Sequence, residues 1–352
     1  MRGCRDMLPA MRRLFRKVTT LKDIARTTGY SVNTISRALR GKDDIAPDTA
    51  EKIRKTASEM GYINNAAAAS LRLGHTNMIA VILGDISNPH FSIMMKEIEN
   101  RARVDGYGSF LMNTNEDLES EREAIQSALN KNVDGIIICP SQQNDSNIRY
   151  LLETHVPFVQ IGRHFDLPGA GYVVCNDELG GYQAAKYLLN KGHRDIAMLT
   201  GPSYISSARE RHAGYRRALA EQGVPYRADL VRESSLIGCS GVIEDMLREK
   251  LRFTALFAFS DMLAWGAWTT LRKYGRRVPE DCSLVGFDNI QSRFAIPFRL
   301  TTISSYKARM STAAVENLLS IMRDGKPLTG ESGLVIDTEL VEGETVGPRA
   351  GC

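Results

Sequence analysis

The chain has 352 residues, 43% of them hydrophobic, with 45 Lys and Arg against 41 Asp and Glu. That length leaves room for two or three domains, and no apolar run reaches the roughly 20 residues a membrane helix needs. The six cysteines, Cys4, Cys139, Cys175, Cys239, Cys282 and Cys352, are scattered, which excludes zinc-ligand and redox spacings and fits free thiols in a reducing, cytoplasmic compartment.

Charge is unevenly shared. Residues 1–75 carry 15 Lys and Arg against 7 Asp and Glu, a net +8; the whole chain is +4, so the remainder is −4. A basic head on a mildly acidic body points to nucleic acid as a partner of the head. Within residues 19–63 the balance is only 8 to 6. Much of the excess lies in residues 1–18, in Arg2, Arg5, Arg12, Arg13, Arg16 and Lys17. That segment has no apolar run of signal-peptide length and reads as a disordered basic extension. A backbone-touching arm, or a translation start nearer Met11, are the alternatives.

Residues 19–63 predict three short helices. Thr20 and Asp23 stand three apart before an apolar run, the spacing of a capping box. Leu21, Ile24 and Ala25 share one face, and Gly29 follows where a left-handed C-terminal residue is expected. Ser31 is placed to cap a second helix whose inner face is Val32, Ile35 and Leu39. Asn33, Thr34, Ser36 and Arg37 face outward, where short polar side chains reach base edges. Pro47 opens a third helix, with Ile53 and Ala57 inward and Gly61 ending it. Turn, cap and face agree on a helix-turn-helix that docks in a major groove. Its DNA-facing candidates are Thr20, Ser31, Val32, Asn33, Thr34, Ser36 and Arg37.

Residues 64–75 are nearly pure Ala, Asn and Leu. So short an Ala-rich helix is marginal alone in water, so this linker is poised between coil and helix.

From residue 76 apolar strands alternate with amphipathic helices. The strands are IAVIL (79–83), SFLMN (109–113), GIIIC (135–139), FVQI (158–161) and VVCN (173–176). The pattern restarts with IAMLT (196–200), ALFAF (255–259) and SLVGF (283–287). This predicts two Rossmann-like parallel sheets, a two-lobed α/β body over 76–348. The expected lobes are 76–174 with 304–332, and 175–303 with 333–348. Ligands of such sheets bind beyond the strands' carboxyl ends. There the sequence places Asp85, Asn88, His90 and Phe91, then Ser141 and Arg163, then Ser203, Ser207 and Arg209, then Ser260, Asp261, Asp288 and Asn289. Carboxylates, an Arg and an aromatic suit a hydroxyl-rich ligand. Asp261 is expected to cap the helix that follows it.

No dinucleotide fingerprint, phosphate loop or nucleophile elbow occurs, and the six histidines lack metal-ligand spacing. The chain therefore reads as neither an enzyme nor a holder of metal or cofactor.

Several motifs occur in a specific order. The head exits through Tyr62-Ile63 and Asn65, and the Ala-rich segment ends in Ser70-Leu71. NPHF (88–91), DGIIICPS (134–141), SSARERHAGY (206–215), FSDMLAWG (259–266), LVGFDN (284–289) and LTTI (300–303) follow. From about Thr19 onward the chain thus resembles the lac repressor/purine repressor (LacI/GalR) family of transcriptional regulators.

The resemblance implies a head joined to a body like a periplasmic sugar-binding protein, with three crossings between lobes. It also implies a homodimer on palindromic operator DNA. There the linker folds into a hinge helix, with Asn65 and a wedging Leu71 in the minor groove. Arg209, Ser260 and Asp288 would line a cleft for a small sugar-like effector, with Asn88, His90, Phe91, Ser141, Arg163 and Asp261 around it. The sequence departs from the family at Asn64, Ala66 and Ala46, where Pro, Arg and a capping Ser or Thr are usual. Near Leu236 some members have an aromatic that covers the sugar, and Phe91 or Phe165 are candidates to replace it. The expectation is a repressor of carbohydrate-utilisation genes. The alternatives are a solute-binding protein without a regulatory role, or a co-repressor-dependent regulator responding to a non-sugar ligand.

Overall fold

The computed structural model describes residues 19–62, 74–293, 298–326 and 333–349. It divides into two compact units, a head ending at Gly74 and a body beginning at His75. The expectations for residues 1–18, and for Asn65, Leu71 and most of the linker, lie outside the described residues.

The head is three helices, α1 (Leu21–Thr28), α2 (Val32–Leu39) and α3 (Pro47–Glu59). The capping box at Thr20 forms, with Thr20 N donating to Asp23 Oδ2 at 3.0 Å and Asp23 N to Thr20 Oγ1 at 3.3 Å. Gly29 ends α1 in the left-handed region, φ 78°, which costs a glycine nothing. Ser31 caps α2 through Thr34 N at 3.0 Å. Ala46 gives α3 no side-chain cap, and Pro47 supplies the pre-set first turn instead. Ile24, Ile35, Ala38, Ala50, Ile53 and Ala57 form the buried core. Val32 differs from its expected place. It stands 39% exposed at the start of α2, and Ala38 takes the inner position.

In the body two six-stranded sheets form, one per lobe. The first lobe's sheet runs β11-β5-β4-β3-β1-β2. Its strands are β1 (Met78–Leu83), β2 (Gly108–Asn113), β3 (Gly135–Ile138), β4 (Phe158–Ile161), β5 (Tyr172–Cys175) and β11 (Leu334–Ile336). The second lobe's sheet runs β12-β10-β9-β8-β6-β7. It comprises β6 (Ile196–Thr200), β7 (Val231–Glu233), β8 (Ala255–Ala258), β9 (Ser283–Asp288), β10 (Thr301–Ser304) and β12 (Glu339–Val341). All pairings are parallel except β10 with β12. The central strands are buried on both faces, which is why they read as unbroken Ile, Val and Ala runs rather than alternating ones.

Residues 334–341 are not one strand of the second lobe. Leu334–Ile336 pairs with β5 in the first lobe and only Glu339–Val341 joins the second. The chain thus crosses between lobes at 175–177, 304–307 and 336–339. Three-residue strands carry too little pattern for sequence periodicity to split them.

The helices relevant to the cleft are α4 (Pro89–Val104), α5 (Leu118–Asn130) and α6 (Ser146–Thr154) in the first lobe. The second lobe has α7 (Asp177–Asn190), α8 (Ser206–Glu221), α9 (Cys239–Arg248) and α10 (Asp261–Lys273). After β10 the chain returns to the first lobe as α11 (Lys307–Asp324), packed on α4, β3, β4 and β5. Helices α7 and α8 meet backbone to backbone. A Cβ on Gly214 would stand 2.0 Å from the Glu178 carbonyl oxygen, and one on Gly181 would stand 2.1 Å from that of Arg211. Only glycine permits that approach, and it sets Asp177 beside Arg211.

Candidate functional site

The head and the body each carry a candidate site. In the head, Val32 and Asn33 are exposed at the first turn of α2. Thr34 and Ser36 are half-buried. Thr34 Oγ1 lies 2.8 Å from Ser31 Oγ, so those two hydroxyls are partly occupied with each other. Arg37 forks onto Asp44, with its Nε 3.3 Å from Oδ1. Both groups are largely solvent-exposed, so the pair is worth under about 1 kcal/mol and yields readily to a base or phosphate. Thr20 is exposed at the start of α1, its hydroxyl 2.7 Å from Asp23 Oδ2.

In the body, the loops at the carboxyl ends of the strands bring the two lobes face to face. Asp288, last residue of β9, sits at φ 105°, and Asn289 follows at φ 52°. Two successive non-glycine residues in the left-handed region mark a turn held by its surroundings. Three basic side chains converge there. His90 Nδ1 from the first lobe lies 3.3 Å from Asp288 Oδ1, off the line of a hydrogen bond. Arg211 NH2 is 3.8 Å from the same oxygen. Lys307, first residue of α11, donates its ammonium to the Asp288 carbonyl oxygen. Burial opposes the Asp288 charge, but His90, Arg211 and Lys307 outweigh it and hold the carboxyl below its ordinary range. Burial in turn lowers the Lys307 ammonium, against the pull of Asp288 and Asp261.

The cationic centre of the second lobe is Arg211 rather than Arg209. Arg209 is exposed and donates to the Ser203 and Tyr204 carbonyls at 3.2 and 2.7 Å, which pins its own loop. Arg211 is buried, donates to Asp177 Oδ1 at 2.6 Å and to the Phe259 carbonyl, and lies over the Phe287 and Phe259 rings. A signal for this was present. Ala208, Arg211, Tyr215 and Ala218 recur at helical spacing, and all are buried.

Asp261 does not cap α10. Ser260 does, accepting from Leu263 N at 3.2 Å. Asp261 is wholly buried and takes Ile290 N at 2.8 Å and the Thr302 hydroxyl. Burial, then the charge of Asp288, pushes its carboxyl up to about 7. It stands behind the cleft and supports the turn after β9. Asn88 likewise caps α4, accepting from His90 N at 3.0 Å.

In the first lobe Arg163 forks onto Glu116, NH2 to Oε1 at 3.1 Å, and its guanidinium lies 5.9 Å from the Phe91 ring centre. Phe91 is buried, edge-on to His90. Phe165 packs instead against the apolar cluster on the far side of the sheet, with Ala80, Ile82 and Ile125, so it does not cover the cleft. Leu236 is 40% exposed. Ser141 N donates to the buried Glu121 at 2.7 Å, while its hydroxyl has no partner. Asp177, Lys307, Glu116 and Gln142 were not among the sequence candidates. Each is tied to its place by contacts distant in sequence.

No helix among the described residues is long and apolar enough to cross a membrane. Residues 20–65 match the family described as bacterial regulatory proteins of the lacI family. Residues 76–334 match periplasmic binding proteins and the sugar-binding domain of the LacI family. The repressor PurR of Aliivibrio salmonicida is 32% identical over 311 residues, 87% of this chain and 93% of that protein. The ribose operon repressor of Haemophilus influenzae is 31% identical over 333 residues, 94% of this chain and 99% of that protein. Among solved structures, the lac repressor dimer bound to operator and the anti-inducer ONPF superposes with a TM-score of 0.84 at 26% identity, covering 94% of this chain and all of that one. A CelR–cellobiose complex gives 0.69 at 26% identity, covering 93% of this chain and 99% of its own. Head, body and their order along the chain therefore agree, and the chain belongs to the lacI family of DNA-binding transcriptional regulators.

Proposed function

We propose that this regulator is a homodimeric repressor of carbohydrate-utilisation genes, working in the cytoplasm on a palindromic operator. A sugar-like effector between the lobes sets its affinity for DNA. One helix-turn-helix covers half a site, and a two-fold dimer reads both halves. In this reading Val32, Asn33, Thr34, Ser36 and Arg37 face bases and Thr20 and Ser31 face the backbone. The roles of Asn65 and Leu71 rest on the family resemblance alone. The body acts by binding, without covalent chemistry.

One observation carries the effector reading. His90 Nδ1, Ser141 Oγ and Ser305 Oγ are buried polar atoms without a hydrogen-bond partner. Ser141 and Ser305 lie in loops beyond the carboxyl ends of β3 and β10, and His90 lies in the first turn of α4, beyond β1. Buried polar atoms ordinarily find partners, and a hydroxyl-rich ligand supplies them. Asp288 and Arg211 complete the set as acceptor and donor for hydroxyls. A thermal-shift screen of the full-length protein against sugars and sugar acids tests this, because a ligand of the folded state raises the melting temperature. The stabilising ligand should also change affinity for a palindromic fragment. Absence of salt-sensitive binding to any palindromic fragment would sink the proposal.

A further inference from the structure

Helix α8 begins without a cap of its own. Its N-cap residue is Ile205, an apolar side chain that makes no capping hydrogen bond. The first N–H groups of a helix have no partner within it and need an acceptor from elsewhere. That acceptor comes from the opposite lobe. Gln142, just beyond β3, accepts from Ser206 N at 2.8 Å and from the Ser206 hydroxyl at 3.1 Å through its Oε1. Its amide nitrogen donates to the His164 carbonyl at 2.6 Å, and His164 N lies 3.3 Å from Ser206 Oγ as donor. The two loops after β3 and β4 are thereby knotted to the first turn of α8. Both Gln142 and Ser206 are almost wholly buried. Gln142 also stands at φ 67°, a left-handed conformation that a glycine adopts freely and a glutamine does not. A strained, buried, polar residue that crosses between lobes is over-determined by its surroundings.

We infer that Gln142 is a positioning residue that caps α8 from the facing lobe, so that closing the cleft fixes the helix that carries Arg211. The inference rests on the effector-cleft reading for its purpose, but not for its test. When the lobes separate, Ser206 N exchanges a fixed acceptor for water, and the first turn of α8 frays. When they close, the turn is capped and Arg211, one and a half turns on, is held against Asp177. Closure and the geometry of the binding helix become one equilibrium.

Two substitutions isolate the contact. Gln142→Gly removes the acceptor while relieving the left-handed backbone. Ser206→Pro removes the donor while keeping the helix, because proline suits the first helical position and Ile205 is already extended. Full-length protein is labelled with spin labels at Glu153→Cys and Glu280→Cys, exposed sites on the two lobes, after Cys4 and Cys352 are changed to Ser. Labelled subunits are diluted with unlabelled ones. Each variant should lengthen and broaden the distance distribution between lobes. Each should also speed hydrogen exchange at residues 207–209 by roughly five-fold, the size of one lost helix cap. The double variant should add nothing further. Unchanged distances in both single variants, or additive effects in the double, overturn the inference. Neither readout needs an effector, so failure of the sugar reading leaves this result interpretable.

Discussion

Replacing Arg211 by Met is the sharpest test of which cation holds the buried carboxylates of the second lobe. The guanidinium is one partner of a buried pair with Asp177, Nε to Oδ1 at 2.6 Å. It is also 3.8 Å from Asp288, and lies over two rings at 3.5 and 4.4 Å. Methionine retains much of the volume but leaves two buried carboxylates without that cation. Removing one partner of a buried ion pair costs about 3–5 kcal/mol. Arg209→Met removes only exposed hydrogen bonds to two loop carbonyls, and surface changes of that kind cost under about 1 kcal/mol. The contrast should be read by urea unfolding at fixed protomer concentration, following tryptophan emission. The only two tryptophans, Trp265 and Trp268, both lie in α10, so the signal reports on the body alone. The pH dependence carries a sign. Asp288 is held below its ordinary range, so the stability it contributes is present above its unfolded pKa of about 4 and lost only as pH falls through the folded value. The Arg211→Met deficit is therefore full at pH 7 and shrinks in acid. Equal losses from the two substitutions, or a larger loss from Arg209→Met, would falsify the placement of Arg211 at the centre.

Three further outcomes follow from individual contacts. Asp261 is raised to about 7 in the folded state, so the native protein binds its proton more tightly than the unfolded chain. Stability should fall as pH rises from about 4 to about 7, and Asp261→Asn, which mimics the protonated acid, should flatten that part of a urea-midpoint profile. Ala46→Ser supplies the side-chain cap that α3 lacks; the head should gain about 1 kcal/mol, read by hydrogen exchange within α3. Asn33→Ala removes an exposed amide at the start of α2. If Asn33 reads an adenine edge, specific operator affinity should drop by about 1–3 kcal/mol, with non-specific binding and its salt slope unchanged in a binding titration.

The head was legible because its structure is local. Thr20 with Asp23, Gly29, Ser31 and Pro47 each act within four residues of where they stand, and all adopt the predicted geometry. The alternation of apolar runs and helices likewise sufficed for two sheets, since parallel strands buried on both faces are unmistakably apolar. Of the two places expected for Val32, the inner face fails and the DNA-facing one agrees with its exposure, because an apolar residue at a helix start looks inward by type alone. The split of 334–341 between lobes was not legible, for strands of three residues leave no periodicity to read.

The cleft was partly legible for a different reason. Loops after strands could be identified, and Asp288 and His90 do meet there. Which cation serves the second lobe depends on the phase of α8, which the Gly181 and Gly214 crossing holds and which the buried spacing of Ala208, Arg211, Tyr215 and Ala218 records. Lys307 was invisible because it ends a crossing segment and its partner, Asp288, lies in the other lobe. These contacts between lobes belong to one arrangement of a two-lobed body. Lys307, His90 and Gln142 from the first lobe hold Asp288 and Ser206 of the second. In the proposed reading, an effector entering the cleft forms contacts with Asp288 and Arg211 in competition with that internal set. Its leverage on DNA binding is limited to the difference in its affinity for the two lobe arrangements. A ligand that only adds to the cation cluster without disturbing Lys307 or Gln142 would bind and yet switch nothing. The side chains that join the lobes are therefore the ones whose substitution should separate effector affinity from effector response.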